Sequence, residues 1–160
     1  MSRISTQGAG LGLALALMVA PMWAAEPLAG HWLLKSQEVG GQRRDTPDPL
    51  LLRITAAGSG LEFAYSVPVN DVQFVSLRFA PRLDGTAADM KDSQDKTIGT
   101  VKVTKAGALQ YKITIQGPNR PTASGTMTVS ADGKTLTSMS DSTPAGQAAS
   151  VHTVQIFERQ

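Results

Sequence analysis

The second half of the chain alternates between hydrophobic and polar residues with a period of two. From residue 97 onward the hydrophobic alternate positions are Val101, Val103, Leu109, Tyr111, Ile113, Ile115, Met127 and Val129. Successive side chains of a β-strand point to opposite faces, so this period places one face of each strand on a core and the other in solvent. The pattern predicts an antiparallel sheet that curls over its own core.

Turn-forming residues divide the chain into about eight to nine predicted strands. The first half carries strands at 30–38, 50–56, 61–67 and 72–79, with loops at 39–49 and 80–96. Within the second loop, Ala87, Ala88 and Met90 have the spacing of a single helical turn. An up-and-down meander that closes on itself has no exposed edge strands, so we predict an all-β barrel.

Glycines set the expected register of two later hairpins. A three-residue loop ending at Gly107 would pair Val103 with Leu109 and so keep the hydrophobic faces matched. A two-residue turn of type I′ at Asp132-Gly133 would pair Val129 with Leu136.

The first 25 residues have the layout of a secretory signal peptide. Arg3 precedes an apolar run at 11–19, and Pro21 ends that run before the small residues Ala24 and Ala25. We therefore predict a signal helix in residues 1–25, one domain over 26–160, and a periplasmic or secreted protein. The alternative is an uncleaved membrane anchor, but residues 8–25 are broken by proline and fall short of the roughly 20 apolar residues that span a bilayer.

Composition narrows the classes of partner. The sequence has 15 basic and 13 acidic residues; without Arg3 the balance is 14 to 13, a net charge of +1. No run of lysine or arginine could follow a phosphate backbone, so the composition argues against nucleic-acid binding. The chain has no cysteine, so an exported form has no disulfides and is held together by packing alone. No second apolar segment follows the leader, so no stable membrane anchor is expected after its removal.

The first predicted strand opens with Gly30-His31-Trp32, and Arg159 lies in the last one. In this G-x-W and late arginine the sequence resembles lipocalin-like barrels. In that family the arginine packs over the tryptophan, and a guanidinium over an indole gains roughly 0.5–2 kcal/mol. The resemblance implies that Gly30, Trp32 and Arg159 form a structural plug at one end of the barrel.

The chain is also similar to a group of small exported bacterial proteins with lipocalin-like, calycin-type barrels. The similarity lies in residues 33–36, 83–85, 130–137 and 156–159, and these are hairpin motifs rather than motifs of a reactive site. The T-D-Y motif of true lipocalins is absent.

Residues that carry chemistry are few. His31 and His152 are the only histidines, and without cysteine they could hold zinc only with carboxylate help. The acidic residues at 89, 92 and 95 lack the alternate ligands and central glycine of an EF-hand loop. Ser59 lies between glycines but outside a nucleophile-elbow motif. We expect no metal, no cofactor and no enzymatic activity.

A barrel of this size suggests a binding pocket. We predict that the wall of such a pocket includes five residues on alternating strand positions: Phe63, Tyr65, Val101, Val103 and Tyr111. The tyrosines suit such a wall because each adds a hydroxyl that can orient a ligand. The leading hypothesis is a protein that binds a small apolar or amphipathic molecule.

Two alternatives stay open at this point. If the same side chains fill the barrel, the protein is an interaction module whose loops at 39–49 and 80–96 contact another envelope protein. If a carboxylate or a histidine points into a cavity, the barrel is a hydrolase or an isomerase.

The leader predicts export with removal of the N-terminus after Ala24 or Ala25. N-terminal sequencing of the protein recovered from the periplasm or the medium should begin at residue 25 or 26. An intact Met1 in the membrane fraction would contradict export with cleavage and support the membrane anchor.

Overall fold

Eleven strands follow one another in the computed structural model, which describes residues 26–44, 49–117, 120–144 and 148–160. The strands are β1 (Gly30–Val39), β2 (Gln42–Arg44), β3 (Leu51–Ala57), β4 (Gly60–Val69), β5 (Val72–Phe79), β6 (Ala88–Asp92), β7 (Thr97–Lys105), β8 (Gln110–Gly117), β9 (Arg120–Val129), β10 (Thr135–Thr143) and β11 (Val151–Arg159). Within these ranges no helix is long and apolar enough to cross a membrane. The predicted signal helix lies outside the described residues.

The strands form an antiparallel meander that closes on itself. From β3 to β11 each strand pairs with the next, and β11 pairs with β1 between Trp32 and Val39. The other edge of β1 pairs with β3 near its start and with β2 near its end. Since β2 pairs only with β1, the closed ring has ten strands. The predicted all-β meander closing into a barrel is confirmed, with more strands than the eight to nine expected.

The two extra strands lie in segments where the sequence shows no period of two. β6 forms in the segment predicted as a loop, and Ala88 and Met90, whose spacing also allowed a helical turn, lie in this strand. Met90 is the one fully buried side chain of β6, and it lies between Phe79 of β5 and Gly99 of β7. One buried position is too few to produce an alternating pattern.

The predicted register of the β7–β8 hairpin is wrong by four residues along β8. Val103 pairs with Ile113 rather than Leu109, because the loop is longer and closes where Ala106 and Gly107 donate to the Gln110 carbonyl. A shift by four residues, an even number, leaves every side chain on its predicted face, so the hydrophobic alternation could not reveal the error.

The β9–β10 hairpin has the predicted register but a different turn. Val129 pairs with Leu136 as expected. Of the two central turn residues, Asp132 and Gly133, only Gly133 has a positive φ, of 70°. A type I′ turn needs a positive φ at both. The Gly133 N–H instead donates to the Ser130 carbonyl, and the Asp132 carboxylate accepts from the Lys134 N–H at 3.1 Å.

One half of the barrel interior is packed with side chains. These residues are at most 9% exposed and come from every strand of the ring. They are Trp32, Leu34, Leu52, Ile54, Leu61, Phe63, Phe79, Met90, Val101, Val103, Tyr111, Ile113, Met127, Val129, Leu136 and Phe157. We call the end of the barrel nearest Gly30 and Arg159 the closed end, and the opposite end, at the β4–β5 turn, the open end.

The segment from Glu26 to Ala29 lies across the closed end as its floor. Leu28 is fully buried, and its carbonyl accepts a hydrogen bond from the Trp32 indole N–H at 3.0 Å. Lys105 Nζ lies 3.0 Å from both carboxylate oxygens of Glu26. The floor is therefore tied to β1 and β7 by both burial and charge.

Arg159 fastens this floor to the last strand. Its guanidinium carbon lies 4.1 Å from the centre of the Trp32 ring. Its three nitrogens donate to the carbonyls of Pro27, Ala29 and Gly133 at 2.6–2.8 Å. A Cβ on Gly30 would lie 2.2 Å from Arg159 Nη1, so the absence of a side chain at Gly30 is what lets the arginine reach across.

The contact between Trp32 and Arg159 predicts coupled effects on stability. Trp32→Ala should lower the free energy of unfolding by roughly 3–5 kcal/mol, as large aromatic deletions in a core do. Arg159→Ala should cost less, and the double variant should lose less than the sum, because the pair is already broken in either single variant. Urea denaturation of the parent protein, the two single variants and the double variant measures the four free energies of unfolding that this comparison needs.

The matched control is Arg53→Ala, which removes an exposed arginine from the outer face of β3 and should change stability by less than about 0.5 kcal/mol. Additive losses for Trp32 and Arg159 would show that the stacking contributes nothing.

Candidate functional site

The inner wall of the barrel is filled at the closed end and accessible toward the open end. Farther along the same strands as the core, the inward-facing Tyr65, Leu77 and Ile115 are only half-buried. Because these side chains point toward the barrel axis, we infer that their accessible surface faces an internal space. We call this space, between the filled core and the open rim, the cup.

One wall of the cup is apolar and lies on β4 and β5. Tyr65 pairs with Leu77 across these two strands, and its ring centre lies 6.2 Å from that of Phe79. Phe79 in turn stacks on Phe63 with ring centres 4.9 Å apart. The filled core thus ends in an aromatic layer that forms the bottom of the cup on this side.

The opposite wall is polar and lies on β10 and β11. Leu136 faces inward between Val129 and Phe157, so the strand alternation also turns the following alternate residues inward. These inward-facing, half-buried residues are Ser138, Ser140, Ser142, Thr153 and Gln155. Ser142 Oγ lies 3.5 Å from the Val151 carbonyl oxygen, and the other four side chains make no hydrogen bond to a described residue.

The β4–β5 hairpin continues the apolar wall beyond the rim. Val69, Val72 and Phe74 are 49%, 68% and 49% exposed, and pairing places them on the same inner face as Tyr65. We call these three residues the apolar lip. The hairpin turns tightly at Asn70 and Asp71, both with positive φ, so the lip stands at the mouth of the cup. Exposed hydrophobic clusters of this kind occur at binding sites.

The structure places the five residues predicted for the pocket at two depths. Phe63, Val101, Val103 and Tyr111 are fully buried in the filled core, and Tyr65 lines the cup. Their role in ligand binding stays a prediction. Alternation shows which face a residue occupies but not how far along the barrel it lies. Sequence alone therefore could not separate residues of the filled core from residues that line the cup.

The polar wall is the part of the site that the sequence did not suggest. Ser138, Ser140 and Ser142 read as a polar strand end, because inward-facing residues are expected to be hydrophobic. The sequence did contain a sign of this wall. The predicted pairing of Val129 with Leu136 makes Leu136 face inward, and alternate residues of the same strand, at 138, 140 and 142, must then face inward too.

Tyr65 and Tyr111 have different surroundings. The Tyr65 hydroxyl has no hydrogen-bond partner among the described residues, and desolvation by the barrel interior raises its pKa to about 12. Tyr111 lies at the closed end, where burial and then the hydrogen bond to the Glu26 carboxylate raise the pKa of its hydroxyl well above the usual value. Only the Tyr65 hydroxyl is placed to meet a molecule in the cup.

The other candidate residues lie outside the cup. His31 is exposed, and His152 pairs with Asp141 on the outer face at 2.8 Å. Asp92 and Asp95 serve the β6–β7 turn: Asp92 accepts from the backbone, and Asp95 pairs with Arg78. In the described ranges no three potential metal ligands lie together.

A surface cleft of about 330 Å³ lies where β5 and β6 diverge. Beside Phe79 and two alanines, it is lined by Glu62, Arg78, Asp89 and Lys91. Charges of both signs at an exposed cleft favour hydration over an apolar ligand. The cup, with one apolar wall and one uncharged polar wall, is the better candidate site.

Comparison with known proteins shows a likeness of fold. No family model matches the chain, and no curated protein sequence matches it. Among solved structures, it is similar to a fatty acid binding protein of Schistosoma mansoni in complex with arachidonic acid, with a TM-score of 0.55, 15% identity, and coverage of 84% of this chain and 96% of that one. It is also similar to the REP1-NXSQ fatty acid transporter, with a TM-score of 0.51, 16% identity, and coverage of 85% and 98%.

The raised tyrosine pKa values predict how the protein responds to alkali. A folded-state pKa above the unfolded value of about 10 contributes stability below pH 10, which is lost as the pH rises from about 10 to 12. The ultraviolet absorbance of phenolate should therefore stay low in the folded protein at pH 10 and rise near that pH in urea. In the Tyr65→Phe variant, the remaining phenolate absorbance should come from Tyr111 alone and appear at a higher pH than that of Tyr65. A phenolate step near pH 10 in the folded protein would contradict this environment for both residues.

Proposed function

We propose that the protein binds a small apolar or amphipathic molecule in the cup and leaves it chemically unchanged. The observation that carries this proposal is the contrast along the inner wall: the closed end is packed, while Tyr65, Leu77 and Ile115 keep accessible surface. Ligand sites of barrels are concave, mostly apolar and supplied with a few polar groups, and the cup has this composition. The fold likeness to a fatty acid binding protein and a fatty acid transporter supports the same class of function.

Binding is favoured over catalysis by the groups that line the cup. Hydroxyl, amide and hydrocarbon groups can hold a molecule but do not form the acid–base or nucleophile–base pairs on which hydrolysis or isomerisation depends. His152 and Asp141 form such a pair, but on the outer face, where no wall excludes water.

The proposal includes export to the periplasm or the medium. The charged and apolar leader supports it, as does the similarity to small exported bacterial barrels. Glu26 contacts Lys105 and Leu28 contacts Trp32, so cleavage after Ala25 keeps these residues of the floor in the mature chain.

A neutral fluorescent dye, N-phenylnaphthylamine, tests the cup directly. The purified protein should enhance its fluorescence with saturation, because the dye leaves water for an apolar site. Ser140→Phe places a ring inside the cup and should weaken dye binding at least about 10-fold. Met139→Phe is the matched control, since Met139 is the neighbouring residue on the outer face and is 40% exposed; this variant should bind as the parent does.

Thermal unfolding of both variants shows whether the substitutions disturb the fold. Weaker dye binding by Ser140→Phe with a retained cooperative transition supports the cup. Absence of saturable dye binding by the parent protein would reject the binding function and favour the interaction module.

A further inference from the structure

The inner wall of the cup carries almost no charge. The walls described above contribute serine, threonine, glutamine, tyrosine and aliphatic side chains. The charged strand residues mostly face outward, as Glu38 does opposite Arg43, or lie at the closed end, as Lys105 and Arg159 do. A carboxylate that entered the cup would lose its hydration without meeting a cation, which is strongly unfavourable.

Among the residues whose side chains the structure describes, two charged ones occupy inner-face positions near the rim. Arg44 pairs with Gln37 and is exposed. Asp92 pairs with Leu77, and its carboxylate accepts the N–H groups of Gln94 and Lys96 at 2.9 and 3.0 Å. Arg44 could attract an anion only at the mouth, and Asp92 beside the apolar wall would repel one. Neither residue prepares the interior for an anionic head group.

The polar wall offers both donors and acceptors. Ser138, Ser140, Thr153 and Gln155 each carry a group that can donate and accept, and none is occupied by another described residue. Alternate residues on a strand are spaced by about 7 Å, so the wall can meet several polar atoms along one edge of a ligand. Hydroxyl, ester and amide groups make such hydrogen bonds without the desolvation penalty of a charge.

The apolar wall lies across the barrel from the polar one. Around the ring of ten strands, β10 is five strands away from β5 and four strands away from β4, which places Ser138 and Ser140 across the barrel from Leu77 and Tyr65. A molecule held between the two walls is therefore contacted by hydrocarbon on one side and by hydroxyls on the other.

We infer that the cup selects an uncharged amphipathic molecule whose hydroxyl, ester or amide groups lie against β10 and β11 while its hydrocarbon side lies against β4 and β5. The inference rests on the proposed binding function and adds a preference against anions. It separates this protein from a simple binder of ionised fatty acids.

Displacement of N-phenylnaphthylamine by three ligands with the same ten-carbon chain tests this preference. Monodecanoylglycerol is neutral and polar, decanoate is an anion at about pH 8, and decane has no head group. Monodecanoylglycerol should displace the dye at a concentration about 10-fold or more below that of decanoate, since one or two net hydrogen bonds give a factor of this size.

Variants of the polar wall show which residues are responsible for the preference for the neutral ligand. The double variant Ser138→Ala/Ser140→Ala should weaken displacement by monodecanoylglycerol about 5- to 10-fold and leave displacement by decane unchanged. Thr137→Ala on the outer face of the same strand is the control. Gln155→Arg adds a cation to the polar wall and should shift the preference toward decanoate.

Several results would overturn the inference while leaving the binding function in place. One is displacement by decanoate as strong as that by monodecanoylglycerol in the parent protein; loss of that strength in Arg44→Gln would assign an anion site to the rim. Another is an equal effect of the double variant on decane, which would show that the serines only shape the cup. Failure of the dye itself to bind would instead reject the binding function.

Discussion

The guanidinium of Arg159 joins three separate parts of the chain at the closed end, and the rest of the barrel depends on this junction. It stacks on Trp32 of the first strand, donates to the carbonyls of Pro27 and Ala29 in the floor, and donates to the Gly133 carbonyl in the β9–β10 turn. A meander closes only if its first and last strands meet. This junction lies where β1 and β11 begin their pairing, with Trp32 opposite Arg159, so the same residues close the ring and seal its end.

Packing at this end explains why the other end can stay open. A chain without cysteine has no disulfides to restrict its unfolded state, so its stability comes from burial. The sixteen core side chains and Leu28 supply that burial in one half of the barrel. Inward positions beyond this half are released from the need to pack, and serines can occupy them on β10. The polar wall is therefore a consequence of where the core ends.

The sequence was most informative where each strand has one hydrophobic and one polar face. The bounds of β5 and the inward direction of Val103 and Tyr111 follow from the period of two. The pairing of Val129 with Leu136 was predicted from the turn residues Asp132 and Gly133. The period does not encode loop length, so the predicted β7–β8 register was wrong. A strand as short as β6 has too few residues to show the period at all. The period also does not show how far along the barrel axis a residue lies, so residues of the filled core and residues of the cup had the same pattern.

The same limit explains why the polar wall escaped notice. A rule that sends hydrophobic residues inward holds where the interior is filled, and it fails where the interior is a space for another molecule. Ser138 and Ser140 break the rule on a strand whose Leu136 obeys it, so the change along one strand marks the boundary between core and cup. Because the polar and apolar walls belong to different hairpins, alternate positions of β10 can change what the cup accepts while the junction at Arg159 and Trp32 stays as it is. Under the proposed function, stability and selectivity in this barrel are thus carried by different residues of the same strands.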